Sequence, residues 1–214
     1  MTDSLKIYSL NTRGTVGKID HIIALAKQCD ILCIQEQRFG ENKHQINERI
    51  KNLEKKSNCK VYHSKIPNKN LGIALLVKQH ILNYIKNYKV LTDGRTQLLE
   101  LNKENKIYNI INLYGPARET HRGDFYKNFL SQIKNLKNRI IIGDWNLILH
   151  ADETSGLFRN TAYCKNVQNF MEQQNLKDVH KILNSSKIKY TFTGTQNSRT
   201  RIDKIFTEHY LIRK

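Results

Sequence analysis

The sequence predicts a layered α/β fold, on three observations. The chain opens with a strand, a helix and a second strand, the order of a layered α/β unit. Its middle third holds short apolar runs at close spacing, separated by turn residues, which favours antiparallel pairing. Beyond them, Arg139-Ile140-Ile141-Ile142 runs straight into Gly143-Asp144-Trp145-Asn146. That reads as a fully buried strand, closed by a glycine that permits a tight turn and ending in a carboxylate and an amide. Reactive groups in layered α/β proteins gather at such strand ends.

Taken in order, Leu5 to Leu10 alternates apolar and polar residues and is the first expected strand, ending at Asn11 before the turn Thr12-Arg13-Gly14. Ile19, Ile22, Ile23 and Ala26 recur at helical spacing, predicting a helix over 16–28. Asp30 to Glu36 is a second strand whose continuous apolar centre predicts burial on both faces. Ile46, Ile50 and Leu53 predict a helix over 42–56. Strands follow at 60–63, 72–77, 88–91, 97–101 and 107–113, the last stopped by Tyr114-Gly115-Pro116. A helix over 122–137 places Phe125, Phe129, Ile133 and Leu136 on one face and leads into the Arg139 strand. Residues 147–163 read as a polar excursion containing Asp152, Glu153 and Gly156, and 164–175 as a helix. Tyr190 to Phe192 and Arg201 to Phe206 are the last strands, joined by a loop rich in Thr, Asn and Ser.

With 214 residues, two prolines, no low-complexity linker and no repeat, a single domain over 1–214 is expected. No apolar run approaches the ~20 residues needed to cross a bilayer. Met1-Thr2-Asp3-Ser4 lacks the order of a secretory signal. A soluble, monomeric protein of the cytoplasm or nucleus, neither secreted nor membrane-bound, is the expectation. Cys29, Cys33, Cys59 and Cys164 form no Cys-x-x-Cys pair, which excludes a disulfide framework or structural zinc site on spacing. The formal charge of +17 favours a polyanionic partner, although its carriers are spread along the chain and Lys, Asn and Ile are abundant throughout.

Five expected strand ends carry polar groups: Asn11, Glu36, Tyr114, Asp144 with Asn146, and Asp203. Each has an ordinary explanation, in turn chemistry, packing or a surface ion pair such as Arg201-Ile202-Asp203. Their repeated placement and their chemistry argue for more. Glu36 is a hard oxygen ligand suited to Mg²⁺. Asp144 can orient or deprotonate water, Asn11 and Asn146 can hold a phosphate or nucleophile, and Tyr114 can donate to a phosphate oxygen. There is no phosphate-binding Gly-rich loop and no Ser-His-Asp arrangement. Metal-assisted hydrolysis of a phosphate ester fits this inventory.

The motifs Ser9-Leu10-Asn11-Thr12-Arg13-Gly14, Ile34-Gln35-Glu36, Asn112 to Pro116, Gly143-Asp144-Trp145-Asn146, Tyr190-Thr191-Phe192 and Ser198 to Asp203 resemble the endonuclease/exonuclease/phosphatase superfamily. Within it they are most similar to the endonuclease domains of non-LTR, LINE-type retrotransposons, in the same order from about residue 5 to 212. The resemblance implies a deoxyribonuclease I-like four-layer α/β sandwich of two packed sheets flanked by helices. It implies Mg²⁺, with Mn²⁺ as a substitute, held by Glu36 with Asn11. Asp144 and Asn146 would position and activate water, Tyr114 would contact the scissile phosphate, and Asp203 would orient a catalytic histidine. Thr191, Arg13, Asn112 and Arg201 are the expected DNA contacts. A LINE-type enzyme nicks double-stranded DNA to leave a 3′-hydroxyl, which primes a reverse transcriptase domain of the same polyprotein.

The sequence departs from the family at its end. Relatives close with a strand bearing Ser-Asp-His, beyond the Arg-Ile-Asp strand. Here Thr207-Glu208-His209 imitates that pattern, but His209 follows Asp203 by six residues, on the order of 20 Å along an extended chain. The expectation is a domain lacking its last strand. The other histidines, His21, His44, His63, His80, His121, His150 and His180, read as surface or packing residues. Three functions follow: a LINE-type endonuclease; a repair nuclease or lipid or inositol phosphodiesterase of the same fold; or an inactive remnant that binds DNA electrostatically.

Overall fold

The computed structural model describes residues 4–184, 189–194 and 197–212. Met1 to Asp3 of the N-terminal reading, positions 195 and 196 of the expected polar loop, and Lys214 lie outside them. The chain divides into two compact units, Met1–Tyr114 and Gly115–Lys214.

In the first unit β1 (Ile7–Asn11) and β2 (Ile31–Gln35) pair in parallel, Asn11 opposite Gln35, with α1 (Ile19–Gln28) as the crossover. Parallel neighbours require such a crossover, and this one uses the helix the apolar spacing predicts. α1 buries Ile22, Ile23 and Ala26 against Leu32, Ile34, Leu53, Ala74 and Leu76. Each fully buried Ile or Leu contributes about 1.5–3 kcal/mol relative to exposure. α2 (Lys43–Ser57) starts where the Asn42 side chain accepts the Gln45 N–H at 2.9 Å, and stops at Asn58 in the left-handed conformation (φ 54°). Its last turn carries Lys55 and Lys56, favourable at the negative end of the helix dipole.

β3 (Cys59–Lys65) and β4 (Gly72–Lys78) complete a sheet in the order β1-β2-β4-β3. All five β2 residues are buried, as the continuous apolar run predicts. A short helix, α3 (Gln79–Leu82), leads to the antiparallel set β5 (Ile85–Thr92), β6 (Thr96–Lys103) and β7 (Lys106–Tyr114). β5 is longer than its apolar core suggested because pairing with β6 extends it, through two register irregularities.

In the second unit α4 (Arg122–Ile133) buries Tyr126, Phe129, Leu130 and Ile133. It ends four residues before the expected Lys137, in a turn closed by Leu136 N–H to Ile133 O. β8 (Arg139–Asp144) pairs antiparallel with β12 (Asp203–Glu208), and β12 with β9 (Leu176–Asp178). α5 (Ala162–Gln173) precedes β9, and α6 (Val179–Leu183) follows it, capped by the Asp178 side chain. β10 (Phe192–Thr193) and β11 (Arg199–Thr200) form a two-residue ribbon, shorter than the strand expected from Tyr190. Trp145 is the centre of this unit's core, ringed by Tyr126, Phe129 and Phe206 at 5.1–6.1 Å between ring centroids. Among the described residues no helix is long and apolar enough to cross a membrane.

The segment after Asn146 is largely exposed, as the sequence suggested, but part of it turns inward. Leu147, Leu149 and Glu153 are buried, and a single 3₁₀ turn, Ala151–Glu153, brings Glu153 into the interior.

Candidate active site

Because β1 and β2 run parallel, their C-terminal ends lie side by side, and each delivers one polar residue. Asn11 Nδ2 donates to Glu36 Oε1 at 3.0 Å, while Asn11 Oδ1 accepts the Arg13 N–H at 2.9 Å. The Thr12 hydroxyl lies 3.0 and 2.9 Å from the carbonyls of Gln35 and Glu36, and the Gly14 N–H donates to Glu36 O at 2.9 Å. Arg13, Glu36 and Arg38 all have positive φ, of 48°, 55° and 37°. A left-handed conformation costs of order 1–3 kcal/mol for such residues and persists only where surroundings over-determine it. Here the cross-turn bonds do so. The Glu36 side chain keeps 18% exposure, with the Arg38 guanidinium 3.7 Å from its other oxygen.

Tyr114 ends β7, buried under the Arg95 guanidinium, which lies 5.1 Å from its ring centre and donates to its carbonyl at 3.2 Å.

In the second unit β8 ends in the tight turn the sequence predicts. Asp144 is only 2% exposed, and its Oδ1 accepts the Asn146 N–H at 2.8 Å. Asn146, at φ 46°, donates its side-chain amide to Gly115 O at 3.0 Å. The turn is held by Gly115 N–H to Asp144 O (2.7 Å), Trp145 N–H to Ile202 O (2.8 Å) and the Tyr126 hydroxyl on Trp145 O. Gly115 has to be glycine here, since a Cβ would stand 2.0 Å from Trp145 O. Asp203 is the direct register partner of Asp144. The Thr191 hydroxyl accepts the N–H groups of Ile202 and Asp203 at 3.1 and 3.2 Å, so it holds the start of β12 in place.

Residues 8–213 match the Endonuclease/Exonuclease/phosphatase family. The chain belongs to that family. Solved structures agree on the fold of its members. The endonuclease domain of TRAS1, a telomere-specific non-LTR retrotransposon, superposes with a TM-score of 0.65 at 14% identity, covering 97% of this chain and 86% of that one. The catalytic domain of Xenopus laevis APE2 gives 0.74 at 19% identity, covering 97% and 83%. The 3′ phosphatase NExo from Neisseria, solved with a product DNA hairpin, gives 0.76 at 12% identity, covering 97% and 88%. No match was found among curated proteins. The α/β, deoxyribonuclease I-like fold expected from the sequence is therefore the fold of this family member, and the family is one of endonucleases, exonucleases and phosphatases.

The donor chemistry at Glu36 and Asn11 fits Mg²⁺. That ion is held by one or two carboxylates and keeps several waters, a requirement that one partly exposed carboxylate with a neighbouring amide is compatible with. Among the described residues no three His, Cys, Asp or Glu side chains cluster as a fully protein-caged ion would need.

Two expected DNA contacts are corrected by the structure. Asn112 is 0% exposed, and its amide donates to Ile34 O (3.2 Å) and Ala74 O (3.0 Å) while its oxygen accepts from Gln35 Nε2 (2.7 Å). It joins β2 and β4 to β7 and has no surface to offer DNA. Asn112→Ala is expected to cost about 2–4 kcal/mol, because several buried partners lose their bonds together. A urea melt measures that loss, and the salt dependence of DNA binding should not change.

Arg201 is the second. It is buried, with its guanidinium on Glu153 and Asp178. Burial alone would lower the Arg201 pKa, but bonding to the Asp178 and Glu153 carboxylates raises it above the ordinary value. It is an internal counter-ion rather than a hand for phosphate.

Glu208-His209 does not stand in for Asp-His. β12 runs unbroken from Asp203, and Glu208 pairs with Arg139 at 2.9 Å, at the end of β8 remote from Asp144. His209 follows, exposed.

Sequence reading missed Glu153, which is 0% exposed. It bonds Lys204 Nζ at 2.6 Å and the Leu149 N–H at 2.8 Å, besides Arg201. The available signal was an acidic pair, Asp152-Glu153, following apolar Leu147 and Leu149.

Proposed function

We propose that the protein is a Mg²⁺-dependent endonuclease of a LINE-type element, which hydrolyses a phosphodiester bond in double-stranded DNA to leave a 3′-hydroxyl for target-primed reverse transcription. The observation that carries this reading is the Asp144–Asn146 turn, in which a carboxylate at the end of a buried strand accepts from the Asn146 N–H at 2.8 Å and its side-chain amide at 3.4 Å. Such a carboxylate needs no reorganisation to orient water. Family membership, the TRAS1 likeness and the ordered motifs support the subclass.

Glu36, with Asn11 beside it, would hold the ion, Mn²⁺ serving as a substitute. When bound, the ion supplies positive charge to the phosphate oxygens. Asp144, oriented by Asn146, accepts a proton from the attacking water. The water oxygen bonds to phosphorus as the P–O3′ bond breaks, and the departing 3′-oxygen takes a proton from solvent. Tyr114 donates to the phosphate and Arg13 and Thr191 lie along the DNA, while Asp203 stands where the family orients a catalytic histidine, a role that His209 does not fill. In this reading residues 1–214 are one monomeric nuclease domain of a nuclear or cytoplasmic polyprotein that also carries a reverse transcriptase.

Relaxation of supercoiled plasmid with Mg²⁺, against the same reaction in EDTA, tests this reading. The nicks should be extended directly by a DNA polymerase. Ends that need a phosphatase first would contradict it. A repair role is the second reading, consistent with the same family membership. Cleavage of an abasic duplex far faster than of intact plasmid would establish that alternative.

A further inference from the structure

The first unit contains a cleft of about 540 Å³ between the turns that follow β1 and β2 and the outer face of α2. Three arginines line it: Arg13, Arg38 and Arg49. One carboxylate, Glu41, lies among them. Two carboxamides complete its polar wall, and both have their orientation set. Asn70 Oδ1 accepts the Gly40 N–H at 3.1 Å, and Gln45 Oε1 accepts the Glu41 N–H at 3.0 Å. A backbone N–H can only be met by the oxygen of an amide, so each of these side chains has its NH₂ left to offer. Guanidiniums and NH₂ groups are donors only, and with three guanidiniums to one carboxylate the wall favours an acceptor that carries negative charge.

The backbone that carries these arginines is fixed, and the Arg49 guanidinium is anchored to it. Arg13 and Arg38 sit on left-handed residues, and Arg49 Nη1 donates to the Arg38 carbonyl at 2.9 Å, holding that turn. The Arg38 side chain remains 52% exposed. Val16, on the rim, is apolar and 74% exposed.

We propose that this cleft binds a backbone phosphodiester of a nucleic-acid strand, with Arg38 and Arg49 as its principal contacts. The inference rests on the nucleic-acid part of the function proposed above, and not on cleavage. A phosphodiester matches a wall in which three guanidiniums and two amide NH₂ groups stand against one carboxylate, and the volume leaves room for the flanking sugar beside Val16. Nothing in the sequence pattern singled out Arg38, Arg49 or Asn70, which come together only in the fold.

The test is binding of a labelled duplex without terminal phosphates, followed by anisotropy in EDTA, where no cleavage occurs. Wild type is compared with Arg38→Gln/Arg49→Gln and with Lys86→Gln/Lys89→Gln, a control that removes the same charge from exposed positions of β5. The expected result is a loss of roughly tenfold or more in affinity for the arginine pair, and a salt slope shallower by about one for each phosphate no longer neutralised. The lysine pair should fall well short of both. Arg49→Gln alone, which leaves the Arg38 side chain in place, should show a smaller loss in the same direction. Equal effects of the two pairs would overturn the proposal, as would a wild type that binds no duplex. A 5′-phosphorylated duplex forms the second arm. If the arginine pair loses only the affinity that the terminal phosphate adds, the cleft is a monoester site and the proposal is wrong. Loss of nicking with intact, arginine-dependent binding would instead overturn the proposed hydrolysis and leave the cleft standing.

Discussion

Glu153→Gln is expected to destabilise the protein by about 3–5 kcal/mol, the cost of leaving buried charges without their counter-ion. Glu153 has no exposed surface, and neither does Lys204, whose ammonium meets it at 2.6 Å. Arg201 bonds the other oxygen, and its own backbone N–H meets Glu153 O at 2.8 Å. Removing one carboxylate leaves the Lys204 ammonium facing the Arg201 carbonyl, at 2.7 Å, with no anion against it. Urea unfolding measures the loss as a lower midpoint at an unchanged slope. Glu153→Gln/Lys204→Met, which removes both charges, should recover a large part of it. A loss below about 1 kcal/mol would mean that the cluster behaves as a solvated surface pair.

The same cluster sets a dependence on pH. Burial raises the Glu153 pKa, but the Lys204 and Arg201 charges and the Leu149 N–H outweigh it and hold the carboxyl below its ordinary value. Its folded value lies below the unfolded one. The stability it contributes is therefore complete above the ordinary carboxylate range and is lost as pH falls through the folded value. Burial lowers Lys204 to about 8, with Glu153 pulling the other way. Between about 8 and its ordinary 10.5 the unfolded chain binds more protons at this residue than the folded one. Its contribution to stability thus rises with pH across that window. Lys204→Met should remove that rise, read from urea midpoints at a series of pH values.

Asp144→Asn is expected to lower nicking by roughly 10²–10⁴-fold, the range for removal of a group that handles a proton in the transition state. Asparagine preserves an acceptor for the Asn146 N–H, so the turn at the end of β8 should survive and the urea midpoint should move little. A matched drop in activity and stability would place Asp144 among the structural residues instead.

The strand that carries Asp144 was legible in the sequence because a run of isoleucines ending in glycine leaves few alternatives. Asn11 and Glu36 were legible for a related reason: both close short apolar runs, and the parallel β1–β2 register sets them side by side. What the sequence did not disclose is long-range polarity. Asn112 and Arg201 sit in motifs that resemble DNA-reading residues, yet each is consumed inside the protein by partners far along the chain. Glu153 was read as part of a solvated excursion because its counter-ions, Arg201 and Lys204, are 48 and 51 residues away. The short elements α3, β9 and α6 also escaped, being too brief to show a period.

The most direct test of the nuclease assignment is the initial rate of supercoiled-plasmid nicking at saturating Mg²⁺, for wild type beside Asp144→Asn at equal folded concentration. Nicking by wild type that falls by two or more orders of magnitude in the variant is the expected result. Robust nicking that survives the substitution would contradict the assignment of this turn to the water-activating role.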